Sequence, residues 1–116
     1  MGEADKINLR AALEQAGWRI ETEEVATHEW WLFECWRLTS TWRPVGAVAY
    51  VLFLVDPLYP FDWRDSIRSV DAIAVHAERR IERMGASQGA FYLARGRWTQ
   101  TLKEIVQAAN ALRPNQ

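Results

Sequence analysis

The stretch Val45–Pro57, VGAVAYVLFLVDP, constrains what this chain can fold into more than any other. Val45 to Val55 is an almost unbroken apolar run, closed by Asp56-Pro57. β-Branched and aromatic residues dominate it, which suits a pleated strand. A strand with one wet face alternates apolar and polar residues, and this run does not. Val45, Ala47, Ala49, Val51, Phe53 and Val55 point one way; Val48, Tyr50, Leu52 and Leu54 point the other. The run therefore predicts a central strand covered on both sides. It is too short to span a bilayer.

The flanking sequence supplies the cover. Leu9, Ala12, Leu13 and Ala16 share one face of a helix over about Lys6 to Ala16, with Lys6, Arg10 and Glu14 on the other. Asp5 is placed as its N-cap, and Gly17 as a left-handed residue closing it. Trp18–Val25, rich in charge, predicts an edge strand. Glu29 to about Ser40 predicts a long strand, with Trp30, Leu32, Glu34, Trp36 and Leu38 on one face. Trp31, Phe33, Cys35, Arg37 and Thr39 take the other. Trp42-Arg43-Pro44 makes the turn into the central strand, giving an antiparallel meander. Asp56–Asp65, with two prolines and three aromatics, predicts a packed loop. Over Ser66–Met84, Ile67, Val70, Ala74, Ala77, Ile81 and Met84 form a helical stripe. Yet Val70–Val75 also fits a fourth strand, so both readings stand. Ala90–Ala94 is a short strand or a helical turn. A last helix, about Thr99 to Leu112, carries Trp98, Leu102, Ile105, Val106, Ala109 and Leu112 on its apolar face and ends before Pro114.

At 116 residues the chain is of single-domain size, 1–116, and long enough to bury a core without staples. A net charge of −1 argues against a general nucleic-acid or membrane surface, which needs a positive field. The lone cysteine, Cys35, excludes an internal disulfide and fits a reducing compartment. No signal-peptide core opens the chain, so a cytoplasmic location is the expectation. The seven tryptophans are the outstanding compositional feature.

Ala16-Gly17-Trp18, Glu29-Trp30-Trp31 with Glu34 and Trp36, Phe53–Pro57, and Arg95-Gly96-Arg97-Trp98 resemble a small family of uncharacterised cyanobacterial proteins. The resemblance covers most of the chain and implies no activity. It does imply a strand at Val70–Ile73, because the relatives' counterpart of Asp71 is apolar. In element order alone, helix, meander, helix is similar to double-stranded-RNA-binding domains. Neither their Gly-Pro-x-His loop nor their lysine cluster has a counterpart here, so no RNA-contacting residue carries over.

Glu34 is the most interesting single residue. Buried on an aromatic face, its carboxyl would be a candidate acid or base. The blander reading is an ion pair: a hairpin that sets Glu24 opposite Glu29 sets Arg19 opposite Glu34. His28 and His76 have no second histidine or cysteine at ligand spacing, and Cys35 reads as a buried, inert thiol. Arg79, Arg80, Arg83, Arg95, Arg97 and Arg113 are interleaved with Glu78, Glu82 and Glu104, which reads as a solvated, salt-bridged surface. Tryptophans gather in and just after one strand, and such residues anchor protein interfaces.

The expectation is an α+β domain: a three- or four-stranded antiparallel meander with N-terminal and C-terminal helices. No cofactor and no metal site is implied. The preferred function is a non-enzymatic interaction or assembly protein, a homodimer joined through Trp31, Phe33, Trp36, Trp42 and Tyr50, with a protein partner rather than nucleic acid or membrane. The alternatives are a nucleic-acid-binding domain, or a small enzyme or ligand-binding protein using Glu34 near an aromatic pocket.

Overall fold

A computed structural model describes residues 2–26, 29, 31–55, 70, 72–79, 90–92 and 96–113. The elements run α1 (Glu3–Gln15), β1 (Trp18–Glu23), β2 (Leu32–Ser40), β3 (Val48–Leu54), β4 (Ala72–His76), β5 (Ala90–Tyr92) and α2 (Trp98–Ala111). All strand pairs are antiparallel and lie in sequence order β1-β2-β3-β4-β5. This is the expected α+β meander with a helix at each end. The fourth strand is present, and a three-residue fifth strand extends the edge beyond it.

The apolar run forms β3, flanked by β2 and β4. Val51 and Phe53 are fully buried on one face, and Leu52 and Leu54 nearly so on the other. Both helices lie on the first face. Leu9 and Leu13 of α1 and Ile105 and Ala109 of α2 join Trp36, Val51 and Phe53 in one core. The second face has its own cluster, Leu32, Cys35, Leu52, Leu54, Ala72 and Ala74, flanked by half-buried Val25, Trp31 and Tyr50.

Four details correct or complete the sequence reading. First, α1 starts at Glu3, so Asp5 is not its N-cap. It sits inside the first turn, and its carboxylate accepts the Gly2 N–H at 3.1 Å, favourably placed for the helix dipole. Second, of the two readings left open within Ser66–Met84, the fourth strand is the one that forms, over Ala72–His76, and the helical stripe does not hold there. Its four leading residues are all buried, because it pairs with β3 and is covered on both faces, just as β3 is. The remainder of 66–84 lies outside the described residues apart from Val70 and Ala77–Arg79, as does the 56–65 loop. Third, β2 starts at Leu32. Fourth, its alternation breaks once: Leu32 faces Leu54 and Glu34 faces Phe53, so Phe33 is the extra residue of a bulge. Leu32 therefore joins the second face, and Phe33 packs against the helix-side core.

Gly17 takes φ +91°, the left-handed turn expected between α1 and β1. A Cβ there would lie 3.1 Å from Trp42 Cβ and 3.2 Å from Arg113 Nη2, whereas Gly46, also at φ +91°, faces open space. Gly46→Ala is expected to cost about 1 kcal/mol of strain and Gly17→Ala about 2–3 kcal/mol. Urea denaturation of the two variants checks the order.

Candidate functional site

Glu34 projects from β2 towards the helices. Its Oε1 lies 2.6 Å from Lys6 Nζ of α1, and its Oε2 accepts the indole N–H of Trp36. The partner of Glu34 is thus Lys6, not Arg19. The β1–β2 register places Arg19 opposite Thr39, five positions from the expected pairing. An odd shift also puts Arg19 on the opposite face of the sheet, where its guanidinium is 3.6 Å from Glu21. The cause is the longer connection: the Glu29 N–H bonds to Ala26 O, and the first residue of β2 paired with β1 is Cys35, opposite Glu23. One Glu34 oxygen thus ties α1 to the sheet, and the other holds the Trp36 indole of the same strand.

The expected aromatic interface divides. Trp36 is sealed in the core, edge-to-face with Phe53 at 4.8 Å between centroids, so it offers no surface. Trp31, Phe33 and Tyr50 are half-buried within their own chain. Trp42 is 63% exposed and Val45 77% exposed, and both sit at the β2–β3 connection.

That connection is built rigidly. Ser40 Oγ accepts the Trp42 N–H at 3.2 Å and donates to Trp42 O at 2.7 Å. Thr41 donates both its N–H and its Oγ1–H to Gly17 O, at 2.8 and 3.0 Å. Arg113, beyond α2, donates to Ser40 Oγ, Asn110 Oδ1, Ala16 O and Gly17 O, with its guanidinium 4.1 Å from the Trp18 ring centroid. One side chain thus joins the end of α1, the start of β1, the end of β2 and the end of α2. The exposed Trp42 stands on this knot.

A second polar cluster escaped the sequence reading. Arg79, which follows β4, reaches Glu29 Oε2 at 2.8 Å, Glu24 O at 2.6 Å and Glu23 Oε2 at 3.4 Å. These groups line an open cleft. Since Glu23 is the cross-strand partner of Cys35, the clamp lies beside that thiol. Cys35 is fully buried, and burial pushes its thiol up to about 11. This fits the inert reading. Arg79 and Arg113 are consumed by internal partners, Arg97 is exposed, and Arg80, Arg83 and Arg95 lie outside the described residues. His76 ends β4 opposite Tyr50, and burial holds its imidazole below the ordinary value. His28 and Trp30 lie outside the described residues. Among the described residues no cluster of potential metal ligands occurs, and no helix is long and apolar enough to cross a membrane.

No protein-family model, curated protein or solved structure matches this chain. The Trp42 connection, the Lys6–Glu34–Trp36 anchor and the Arg79 clamp must therefore be weighed on their own chemistry.

Two outcomes follow. Lys6→Ala leaves a mostly buried carboxylate short of its cation and is expected to destabilise the fold by about 1–3 kcal/mol. Glu34→Gln keeps one acceptor for two donors and sets its amide NH2 against the other, so it is expected to destabilise the fold by a similar amount in the same urea titration. For His76, the unfolded chain takes up a proton near 6.5 while the folded chain resists it until lower pH. Stability is accordingly complete above that value and falls as pH drops through it. Melts at neutral and mildly acid pH are expected to show the decline, and His76→Gln to reduce it.

Proposed function

We propose that this chain is a non-enzymatic interaction or assembly protein that works as a homodimer. The observation that carries the reading is the exposed pair Trp42 and Val45 on a connection held by bonds from Ser40, Thr41 and Arg113. A large aromatic side chain left in water forgoes a burial worth roughly 1.5–3 kcal/mol. Holding it on a rigid support removes much of the ordering cost of binding, and tryptophan is the residue type most enriched at the hot centres of interfaces. Trp42 is thus the leading aromatic contact, with Trp31, Phe33 and Tyr50 in supporting positions and Trp36 confined to the core.

Glu34 does not favour the enzyme alternative. Its two oxygens are occupied by Lys6 and Trp36, and its role is to fasten a helix.

Light scattering behind a sizing column, across a concentration series, tests the reading. The expected mass is twice the 13.4 kDa of one chain. Trp42→Ser is expected to shift the mass towards the single chain and to match the parent's melting temperature at dilutions where both are single chains, because only main-chain groups of Trp42 are bonded to Ser40. A single-chain mass at every concentration overturns the homodimer.

A further inference from the structure

The dimer reading leaves the joining surface open, and the edge of the sheet supplies one. Among the described residues, β1 is paired on one side only, with β2. Its backbone parity is set by two contacts. The Thr41 N–H donates to Gly17 O at 2.8 Å, so Gly17, Arg19, Glu21 and Glu23 turn their backbone groups towards β2. Arg10 Nη2 reaches Ile20 O from the other side, at 3.4 Å. Trp18, Ile20 and Thr22 therefore present their N–H and C=O groups outward. Among the described residues, that long Arg10 contact is the only side-chain hydrogen bond to a carbonyl on this row.

We propose that the outward edge of β1 pairs antiparallel with the same edge of a second copy, Ile20 opposite Ile20 across a two-fold axis, to make one continuous sheet. This rests on the homodimer reading and adds its surface and register.

Charge selects both the occupant and the register. Arg19 and Glu21 project from the same face and are highly exposed, their side chains 64% and 59% accessible. Their contact along one strand, at 3.6 Å, is an exposed pair of little worth. With Ile20 opposite Ile20, each Arg19 stands directly across from the second copy's Glu21. These are non-hydrogen-bonded positions, where facing residues approach most closely. Sliding by two residues, the smallest shift that keeps outward groups facing outward groups, fails in either direction. One shift sets Arg19 against Arg19, and the other sets Glu21 against Glu21. The strand is self-complementary in a single register, which is what a two-fold interface requires. The same charges deter strands that lack the pattern. Ile20 O exchanges its long Arg10 contact for the second copy's Ile20 N–H. The Gly17–Trp42 corner adjoins the start of this strand, so the aromatic contact and the strand pairing belong to one interface.

Charge exchange tests it. Arg19→Glu and Glu21→Arg are each expected to weaken the dimer by about tenfold or more, since two facing attractions become two repulsions. An equimolar mixture of these two variants is expected to recover the dimer mass as a mixed pair, because both facing positions are then opposite in sign. The double variant R19E/E21R is expected to behave as the parent chain. Thermal melts of the single variants should match the parent at dilutions where the parent is itself a single chain, the altered side chains being exposed. Dimers of parental strength in both single variants overturn the edge while leaving the homodimer standing. Failure of the mixture to recover overturns the register. A parent chain that is a monomer throughout overturns both readings.

Discussion

Everything in this fold follows from the double burial of β3. A strand apolar on both faces is stable only with neighbours on both edges and cover above and below. The chain meets the first need with β2 and β4, each hydrogen-bonded to β3 along its length. It meets the second unequally. One face receives both helices, with Leu9, Leu13, Ile105 and Ala109 as their contribution. The other face carries smaller residues, Cys35, Ala72 and Ala74, beside Leu52 and Leu54. Small side chains on one face and the buried Trp18 and Trp36 on the other are the two sides of a single packing solution, and β4 is drawn into the sheet by the same demand.

Three long cations then fasten the layers at separate points. Lys6 holds α1 to β2 through Glu34. Arg113 gathers the ends of α1, β2 and α2. Arg79 ties the segment after β4 to the β1–β2 connection. Each spans elements far apart in sequence, and each spends its charge internally. The exposed Trp42 stands out beside the fixed ends that Arg113 gathers.

Much of this was legible in the residues. The central strand, both helices, the left-handed Gly17 and the edge character of β1 follow from local pattern, which acts over a few residues. What was not legible depends on distance. The Arg19–Glu34 pairing failed because the β1–β2 connection is longer than a tight hairpin, and a single odd shift moves a side chain to the other face. The bulge at Phe33 has no glycine to announce it. β4 was legible only as one of two readings, because the apolar run that makes a strand buried on both faces also falls on a helical stripe. Of the candidate site, Trp42 was visible by residue type and its exposure was not. The Arg79 clamp, joining groups about fifty positions apart, has no sequence signature at all.

The strands follow one another in space as they do along the chain, so each can pair with its predecessor as soon as it is made. The helical cover does not share that order. Trp18 waits for Asn110, 92 positions later, to accept its indole N–H at 3.1 Å, and Gly17 waits for Arg113. All five strands precede α2 in the chain, so the part of the helix-side core that Ile105 and Ala109 cover is the last to receive its cover during synthesis. The final helix acts as a late lid on an otherwise assembled core, and the interval before it arrives is when this chain is most exposed to sticking to its neighbours.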